Sequence, residues 1–341
     1  MIQEAIRKVV AGVSLSPQEA EMAMAEIMDG RATPAQIAGL AVALRMKGET
    51  ASEVKGFATA MRRRALRVKP KCRIVADTCG TGGDGKGTLN ISTGAAFVAA
   101  GAGVVIAKHG NRAASSRCGS ADVLEALGIK IDPPRERVER CLNEVGIAFL
   151  FAPLFHPAMR HAGPPRRELG IRTIFNILGP ITNPAGANVQ LLGVGDRGLM
   201  ELLAESISLL GTRRTLIVHS HDGLDELAPT AVTRVIEVTG GKVGRPSSMS
   251  PRAFGFRRSR VKDLAGGNAR ENADELLRVL KGKAGAFRDA VVYGGGAVCW
   301  LAGRARGMGE GIAMAAASID SGAALDKLER LKDASHGSLK N

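Results

Sequence analysis

Asp77-Thr-Cys-Gly-Thr-Gly-Gly-Asp-Gly-Lys-Gly-Thr-Leu-Asn-Ile-Ser-Thr93 is the stretch on which the reading of this chain turns. It follows a short apolar run, Ile74 to Ala76, and leads into the alanine-rich run Thr93 to Ala100. The order is therefore strand, glycine loop, helix, the repeating unit of an α/β layer. Gly80, Gly82 and Gly85 satisfy the dinucleotide spacing G-x-G-x-x-G, but the helix does not start at once and no acidic residue lies about 20 positions further on. Gly80 to Lys86 approaches a Walker A loop, yet Gly87 stands where Ser or Thr would hold magnesium, and Asp84 would face the phosphates. What both near misses leave is chemistry. Glycine-exposed N–H groups cradle an oxyanion, Asp84 accepts from hydroxyls such as those of ribose, and Asn90, Ser92 and Thr93 fall at a helix N-terminus that favours a phosphate.

Downstream, Val104 to Ala107 reads as a second strand and opens into Lys108-His-Gly-Asn-Arg112 and on to Arg117. Lys108, His109, Arg112 and Arg117 gather positive charge at the C-terminal edge of the strand, the ligand side of an open α/β sheet. Ser115, Ser116 and Ser120 add hydroxyls, and Ser120 is placed to cap a helix ending at Gly128. Further along, His219-Ser-His-Asp-Gly-Leu-Asp-Glu226 ends a strand. Its two histidines lack the ligand-rich partner segment of a zinc site. Its adjacent carboxylates Asp225 and Glu226 suit magnesium, which takes few protein oxygens and completes its shell with water and phosphate. Arg166 and Arg167 follow two prolines at the start of an expected helix, where a guanidinium can grip a carboxylate bidentately.

The rest of the chain frames these loops. Further short β runs are expected at Val189–Val194, Leu216–His219, Val235–Val238 and Ala290–Tyr293, with helices at 121–127, 199–210 and 271–280 between them. Before Pro70 the spacing is helical throughout (Ile2, Ala5, Ile6, Val9; Ile37, Leu40, Ala41, Leu44), with Ser16-Pro17 and Thr33-Pro34 as hydroxyl caps followed by proline. The helix after Glu53 is expected to run through Arg62, Arg63, Arg64 and Arg67 until Pro70 breaks it. The fold class expected is α/β: a small N-terminal all-helical domain, residues 1–70, and a larger α/β domain, residues 71–341, with a mostly parallel central sheet flanked by helices. Residues 156–185, helical and irregular, are expected to pack back onto the N-terminal helices, and the polar end from Lys332 to fray.

Composition bounds the function. The chain has 341 residues, enough for two domains with real cores, and 45% hydrophobic residues. Its 47 Lys and Arg against 33 Asp and Glu give a net charge of +14, which favours anionic partners. Five scattered cysteines without a C-x-x-C pair point to a reducing, cytoplasmic setting. No signal peptide is read at the N-terminus. The longest apolar run, Gly94 to Ala107, is too short for a membrane helix.

Taken together, Gly-Thr-Gly-Gly-Asp, Asn-Ile-Ser-Thr, Lys-His-Gly-Asn-Arg, Gly119-Ser-Ala-Asp-Val-Leu-Glu-Ala-Leu-Gly128 and the long His156-Pro-Ala-Met to Thr-Asn-Pro184 stretch closely resemble the anthranilate phosphoribosyltransferase family. That family belongs to the phosphoribosyltransferase class sharing the pyrimidine nucleoside phosphorylase fold. The resemblance covers nearly the whole chain. It implies transfer of the phosphoribosyl group of phosphoribosyl pyrophosphate (PRPP) to the amine of anthranilate, the second step of tryptophan synthesis from chorismate, by a magnesium-dependent, cytoplasmic homodimer. Carried over, Gly80, Gly83, Asp84, Thr88, Asn90, Ile91, Ser92, Thr93, Lys108, Gly110, Arg112, Ser115, Ser116 and Ser120 bind PRPP. Asn111 and Arg166 bind anthranilate, His109 accepts or orients the amine protons, and Ser92, Asp225 and Glu226 hold Mg2+. Lys108, His109, Asn111 and Arg166 are the expected catalytic group. The chain departs from the family pattern at Ala113 (commonly serine), at Arg117-Cys118 (commonly Lys-Ser) and around Tyr293. A non-catalytic nucleic-acid-binding relative of the same fold is the alternative the charge raises; intact anthranilate and metal motifs and few aromatics for stacking speak against it. The phosphate and base motifs of the nucleoside phosphorylases themselves are not found.

Overall fold

The computed structural model describes residues 1–113 and 117–337. Four helices come first: α1 (Ile2–Val10), α2 (Pro17–Met28), α3 (Pro34–Lys47) and α4 (Ala51–Arg64). Ser16, Thr33 and Thr50 each accept from the backbone three residues on, while Glu19, Gln36 and Glu53 return the bond, so three consecutive helices begin with complete capping boxes. Glu53 is fully buried and also takes the N–H of Leu15 and the ammonium of Lys47, which locks α4 to the preceding loops.

The sheet has eight strands, ordered β3 (Ile147–Phe151), β2 (Ile106–Gly110), β1 (Ala76–Asp77), β4 (Val189–Gly193), β5 (Arg214–Ser220), β6 (Thr233–Thr239) and β7 (Lys242–Val243), with β8 (Ser247–Met249) also paired to β6. Strands β3 to β5 run parallel, and β6 to β8 extend the edge antiparallel. The expected mostly parallel sheet behind a helical N-terminus is what forms. Chain order moves outward from β1 to β2 and β3 and then returns to β4 on the other side. The crevice where ligands bind in such sheets therefore opens at the C-terminal ends of β1 and β4.

Alternation on β4 to β6 divides the interior. Leu191, Leu216, Val218 and Val235 face one core, shared with α5 (Ile91–Gly101) and the C-terminal helices. Leu192, Val194, Ile217, Ile236 and Val238 face the other, which they share with α1 to α4, the helix Met200–Leu209 and Ala162, Ile174, Phe175, Ile177, Leu178 and Ile181. The segment between β3 and β4 is thus interposed between the N-terminal helices and the sheet. Arg62 on α4 donates to the Ile181 carbonyl at 2.9 Å.

Four local expectations are corrected. Ala290–Tyr293 is not a strand but part of the helix Ala286–Leu301, which is buried nearly all round, so its valines carried no helical period. The run 147–151, not read as a strand, is β3. Helix α4 stops at Arg64, and its arginines are tied down: Arg64 grips Asp29 at 2.8 and 3.1 Å and Arg63 pairs with Glu21. The C-terminal end is helical through His336 rather than frayed from Lys332. No helix among the described residues is long and apolar enough to cross a membrane.

Candidate active site

The loops singled out in the sequence leave the C-terminal ends of β1, β2 and β5. In the glycine loop, Gly82, Gly83, Gly85 and Gly87 have φ between 61° and 80°, a left-handed path that L side chains rarely take. The loop begins at a buried carboxylate. Asp77 Oδ1 accepts the amides of Cys79 and His109, both at 3.1 Å, and Oδ2 accepts from the Asn183 amide at 2.7 Å, so one side chain fixes the starts of both phosphate-side loops. Burial pushes its pKa up to about 6, against the pull of nearby Lys108. Lys108 is itself buried, its ammonium donating to Thr78 Oγ1 at 3.1 Å, and Thr78 donates in turn to the Ser92 carbonyl at 2.9 Å.

The far end of the glycine loop is pinned by a bridge between Thr88 and Ala265 and by the Leu89 amide on the Leu264 carbonyl at 2.9 Å. Asn90 holds Asn272 and the Cys118 carbonyl through its side chain, and α5 begins directly after it. The first-turn amides of α5 are engaged: Ile91 bonds to Leu89, Thr93 to Asn90, and Ser92 to Glu226 Oε1 at 3.0 Å. The expected phosphate seat on that helix end is therefore filled by a carboxylate, and the hydroxyls of Ser92 and Thr93 are what remain. Thr93 Oγ1 is buried without a partner.

Asp84, Asp225 and Glu226 meet beside this helix end. Burial first, then the repulsion of Asp84, pushes Asp225 well above the ordinary carboxylate range; burial and Asp225 do the same to Glu226. Asp84 Oδ1 accepts the Lys86 amide, while its Oδ2 is buried and unpartnered. Carboxylates that repel one another beside an unclaimed oxygen are the chemistry a hard divalent cation takes, and among the described residues the oxygens of these three are not all within 4.8 Å of one another.

The second loop departs in part from expectation. Ser115 and Ser116 lie outside the described residues. Arg112 does not present a free charge: its guanidinium is held by Asp122 at 3.0 Å and by Glu125 at 2.8 and 3.1 Å, so Gly110 and the main chain around it are what this turn offers. The helix Ser120–Ala126 is capped by Asp122, which takes the amides of Gly119 and Ala113, rather than by Ser120; the Ser120 hydroxyl turns to the Asn111 carbonyl. Asn111 is exposed and its Oδ1 receives the Arg112 amide. At the departure Tyr293, the ring is buried against Phe254 and Phe256.

His109 Nδ1 lies 3.0 Å from the Gly179 carbonyl, which can only accept, so that nitrogen carries the hydrogen and Nε2 holds a lone pair with no partner. Burial lowers its pKa to about 3, with His156, 5.2 Å away ring to ring, adding to the effect. The ring is neutral at physiological pH and far too weakly basic to be a general base; it can orient a donor. Arg166, in the helix Gly163–Leu169 whose first turn contains both prolines, stands over the Phe175 ring at 5.6 Å and has no carboxylate partner among the described residues.

Sequence reading missed Gly193 and Gly195, which end and follow β4 between the glycine loop and the acidic loop. The Thr81 amide bonds to the Gly193 carbonyl at 2.8 Å and the Gly195 amide to Thr81 Oγ1 at 3.1 Å. A Cβ on Gly193 would stand 1.8 Å from the Asp225 carbonyl oxygen, and one on Gly195 2.6 Å from that of Gly82. The spacing Gly-Val-Gly at the end of a strand was the available signal.

The comparisons with known proteins cover both the helical and the α/β parts of the chain. Residues 73–325 match the glycosyl transferase family α/β domain, and residues 3–65 its helical bundle domain. The chain is 55% identical to the anthranilate phosphoribosyltransferase of Pelotomaculum thermopropionicum and 53% to that of Moorella thermoacetica, covering 97% of this chain and 96% and 97% of theirs. Among solved structures it is similar to the Thermus thermophilus enzyme of that name, with a TM-score of 0.93 and 45% identity over 98% of this chain and 99% of that one. The Saccharomyces cerevisiae enzyme in complex with PRPP and Mg superposes with a TM-score of 0.90 at 29% identity, over 98% of each chain. On these matches, across both its helical and its α/β parts, the chain belongs to the anthranilate phosphoribosyltransferase family.

Proposed function

We propose that this protein transfers the phosphoribosyl group of PRPP to the amine of anthranilate, giving N-(5-phosphoribosyl)anthranilate and pyrophosphate. The observation that carries the reading is the convergence of the glycine loop, buried Lys108 and the carboxylates of Asp225 and Glu226 at one sheet edge, with the unpaired Arg166 on the segment beside it.

PRPP is received by Gly80, Gly83, Asp84, Thr88, Asn90, Ile91, Ser92, Thr93, Lys108, Gly110 and Ser120, together with Ser115 and Ser116. Asp84 takes ribose hydroxyls, and Lys108 and the left-handed loop amides take phosphate oxygens. Ser92, Asp225 and Glu226 would hold Mg2+, whose charge would offset that of the departing pyrophosphate. Arg166 holds the anthranilate carboxylate and Asn111 its orientation, so that the amine faces the anomeric carbon. The carbon–nitrogen bond forms as the bond from that carbon to pyrophosphate breaks. The transition state carries positive charge on the sugar and growing negative charge on the leaving group, and Lys108 and the loop amides stabilise the latter. An aniline-type nitrogen is nucleophilic when neutral, so His109 needs only to orient its hydrogens through Nε2.

The protein acts as a cytoplasmic homodimer in this reading. Val10, Met22 and Met46 on the N-terminal helices and Val13 in the loop after the first are exposed apolar side chains, which supports pairing through that region. Mixing the protein with anthranilate, PRPP and magnesium and following anthranilate fluorescence tests the reaction: the signal falls only with all components present, and an unchanged signal refutes it. Light scattering gives the mass of the assembly.

A further inference from the structure

The residue that physically joins the anthranilate side of the cleft to the PRPP side is Arg172, to which neither the motif reading nor the reaction above gives a role. It follows Gly170, whose φ of 60° ends the helix carrying Arg166. Its guanidinium crosses to the glycine loop, where Nη1 donates to the Gly82 carbonyl at 2.9 Å. Its Nη1 end abuts the next residue: a Cβ on Gly83 would fall 1.5 Å from Nη1 and 2.7 Å from Cζ. Nη2 is shielded from solvent and has no partner. The positive charge is felt at Asp225, where it opposes the repulsion from Asp84.

We propose that Arg172 is a positioning residue that holds the Gly82–Gly83 turn in its phosphate-receiving path and ties that turn to the segment bearing Arg166. Resting on the reading above, this makes the order of the PRPP loop depend on the segment that receives anthranilate. Glycine residues at positive φ are loose when unsupported, because the backbone retains many other conformations. A charged donor on one carbonyl, with its Nη1 end occupying the place of a side chain at Gly83, removes that freedom before substrate arrives. Gly83 then serves two ends: its φ of 80° admits the turn, and its missing Cβ admits Arg172.

Three measurements test this. Amide hydrogen exchange across residues 80–87 of the substrate-free protein should accelerate about tenfold or more in Arg172→Ala, with the remainder of the sheet unchanged. In steady-state kinetics Arg172→Ala should raise the KM for PRPP about tenfold, and Arg172→Lys, which keeps a charged donor and loses the rigid fork, should fall between. Gly83→Ala should impair PRPP use strongly in the parent and markedly less in the Arg172→Ala background, because the steric conflict is gone. Unaltered exchange, kinetics within twofold of the parent, or equal Gly83→Ala penalties in the two backgrounds would each overturn the proposal. Arg172→Gln repeats the set if the alanine variant fails to fold. Exchange needs no turnover, so a parent protein without transferase activity would refute the function while leaving the loop assignment to be decided on its own.

Discussion

The amide of Ser92 donates to Glu226 Oε1 at 3.0 Å, joining the first turn of α5 to a loop 134 residues away in the chain. This bond sets a carboxylate on the positive end of a helix while its neighbours Asp225 and Asp84 push back. The cluster is held in place by backbone and is short of positive charge. Glu226→Gln keeps an oxygen for Ser92 and removes the charge. With Asp225→Asn, magnesium-dependent turnover should fall by more than the roughly 10–100-fold typical of a change one shell further out. Initial rates across a magnesium titration check this, and retention of parental rates at low magnesium contradicts it.

A second prediction concerns a residue that touches no substrate. Gly193→Ala would set a methyl 1.8 Å from the Asp225 carbonyl oxygen, which is backbone and cannot swing away. The acidic loop must shift, so activity should drop steeply while thermal stability falls by about 1–3 kcal/mol, the usual cost of overpacking. Magnesium titration combined with a melting curve reads both. Activity within twofold of the parent would show that the loop tolerates the displacement.

Much of this arrangement was legible before any coordinates. Hydroxyl caps, glycine loops and strand ends are local signals, written in neighbouring residues, and they placed the helical N-terminus and the two phosphate-side loops. What escaped depends on tertiary contact. Ala290 to Tyr293 resembles a strand because a helix buried on all sides has no polar face to betray its period. Arg112 read as a phosphate cation because Asp122 and Glu125 lie a helix turn or more beyond the loop it occupies, and Gly193 read as an ordinary strand end because its neighbour Asp225 arrives from another strand. Arg172 lacked any sequence mark, since its partner is a carbonyl.

The two buried rings should each weaken the fold in acid. Burial lowers His109 to about 3 and His156 to about 4, from an ordinary value of 6.5. The unfolded chain then binds protons below pH 6.5 that the folded chain refuses, so stability is full above 6.5 and is lost as pH falls. The loss is about 1.4 kcal/mol per unit per ring, down to the folded values. Asp77, raised to about 6, acts in the opposite direction between its ordinary 3.8 and 6, stabilising as pH falls, and the buried Asp225 and Glu226, held above their ordinary values, act in the same sense, so the carboxylates oppose the two rings. Replacing His156 with Asn should therefore move the acid-unfolding midpoint, followed by circular dichroism, to lower pH. An unmoved midpoint would mean that His156 is protonated in the folded state.

The last prediction separates recognition from stability. The Arg166 guanidinium has no carboxylate within reach among the described residues, and its closest described partner is the ring of Phe175 at 5.6 Å. Partial burial already lowers its pKa, so the charge sits where water is scarce and an incoming carboxylate would be gripped firmly. Arg166→Ala removes that grip without leaving any buried protein anion unpaired. The KM for anthranilate should rise at least about tenfold, the KM for PRPP should change little, and the melting temperature should stay near that of the parent. Arg166→Lys should recover part of the loss, since a single ammonium replaces a bidentate fork. A melting temperature that falls together with both KM values would instead make Arg166 a support for the loop it stands beside.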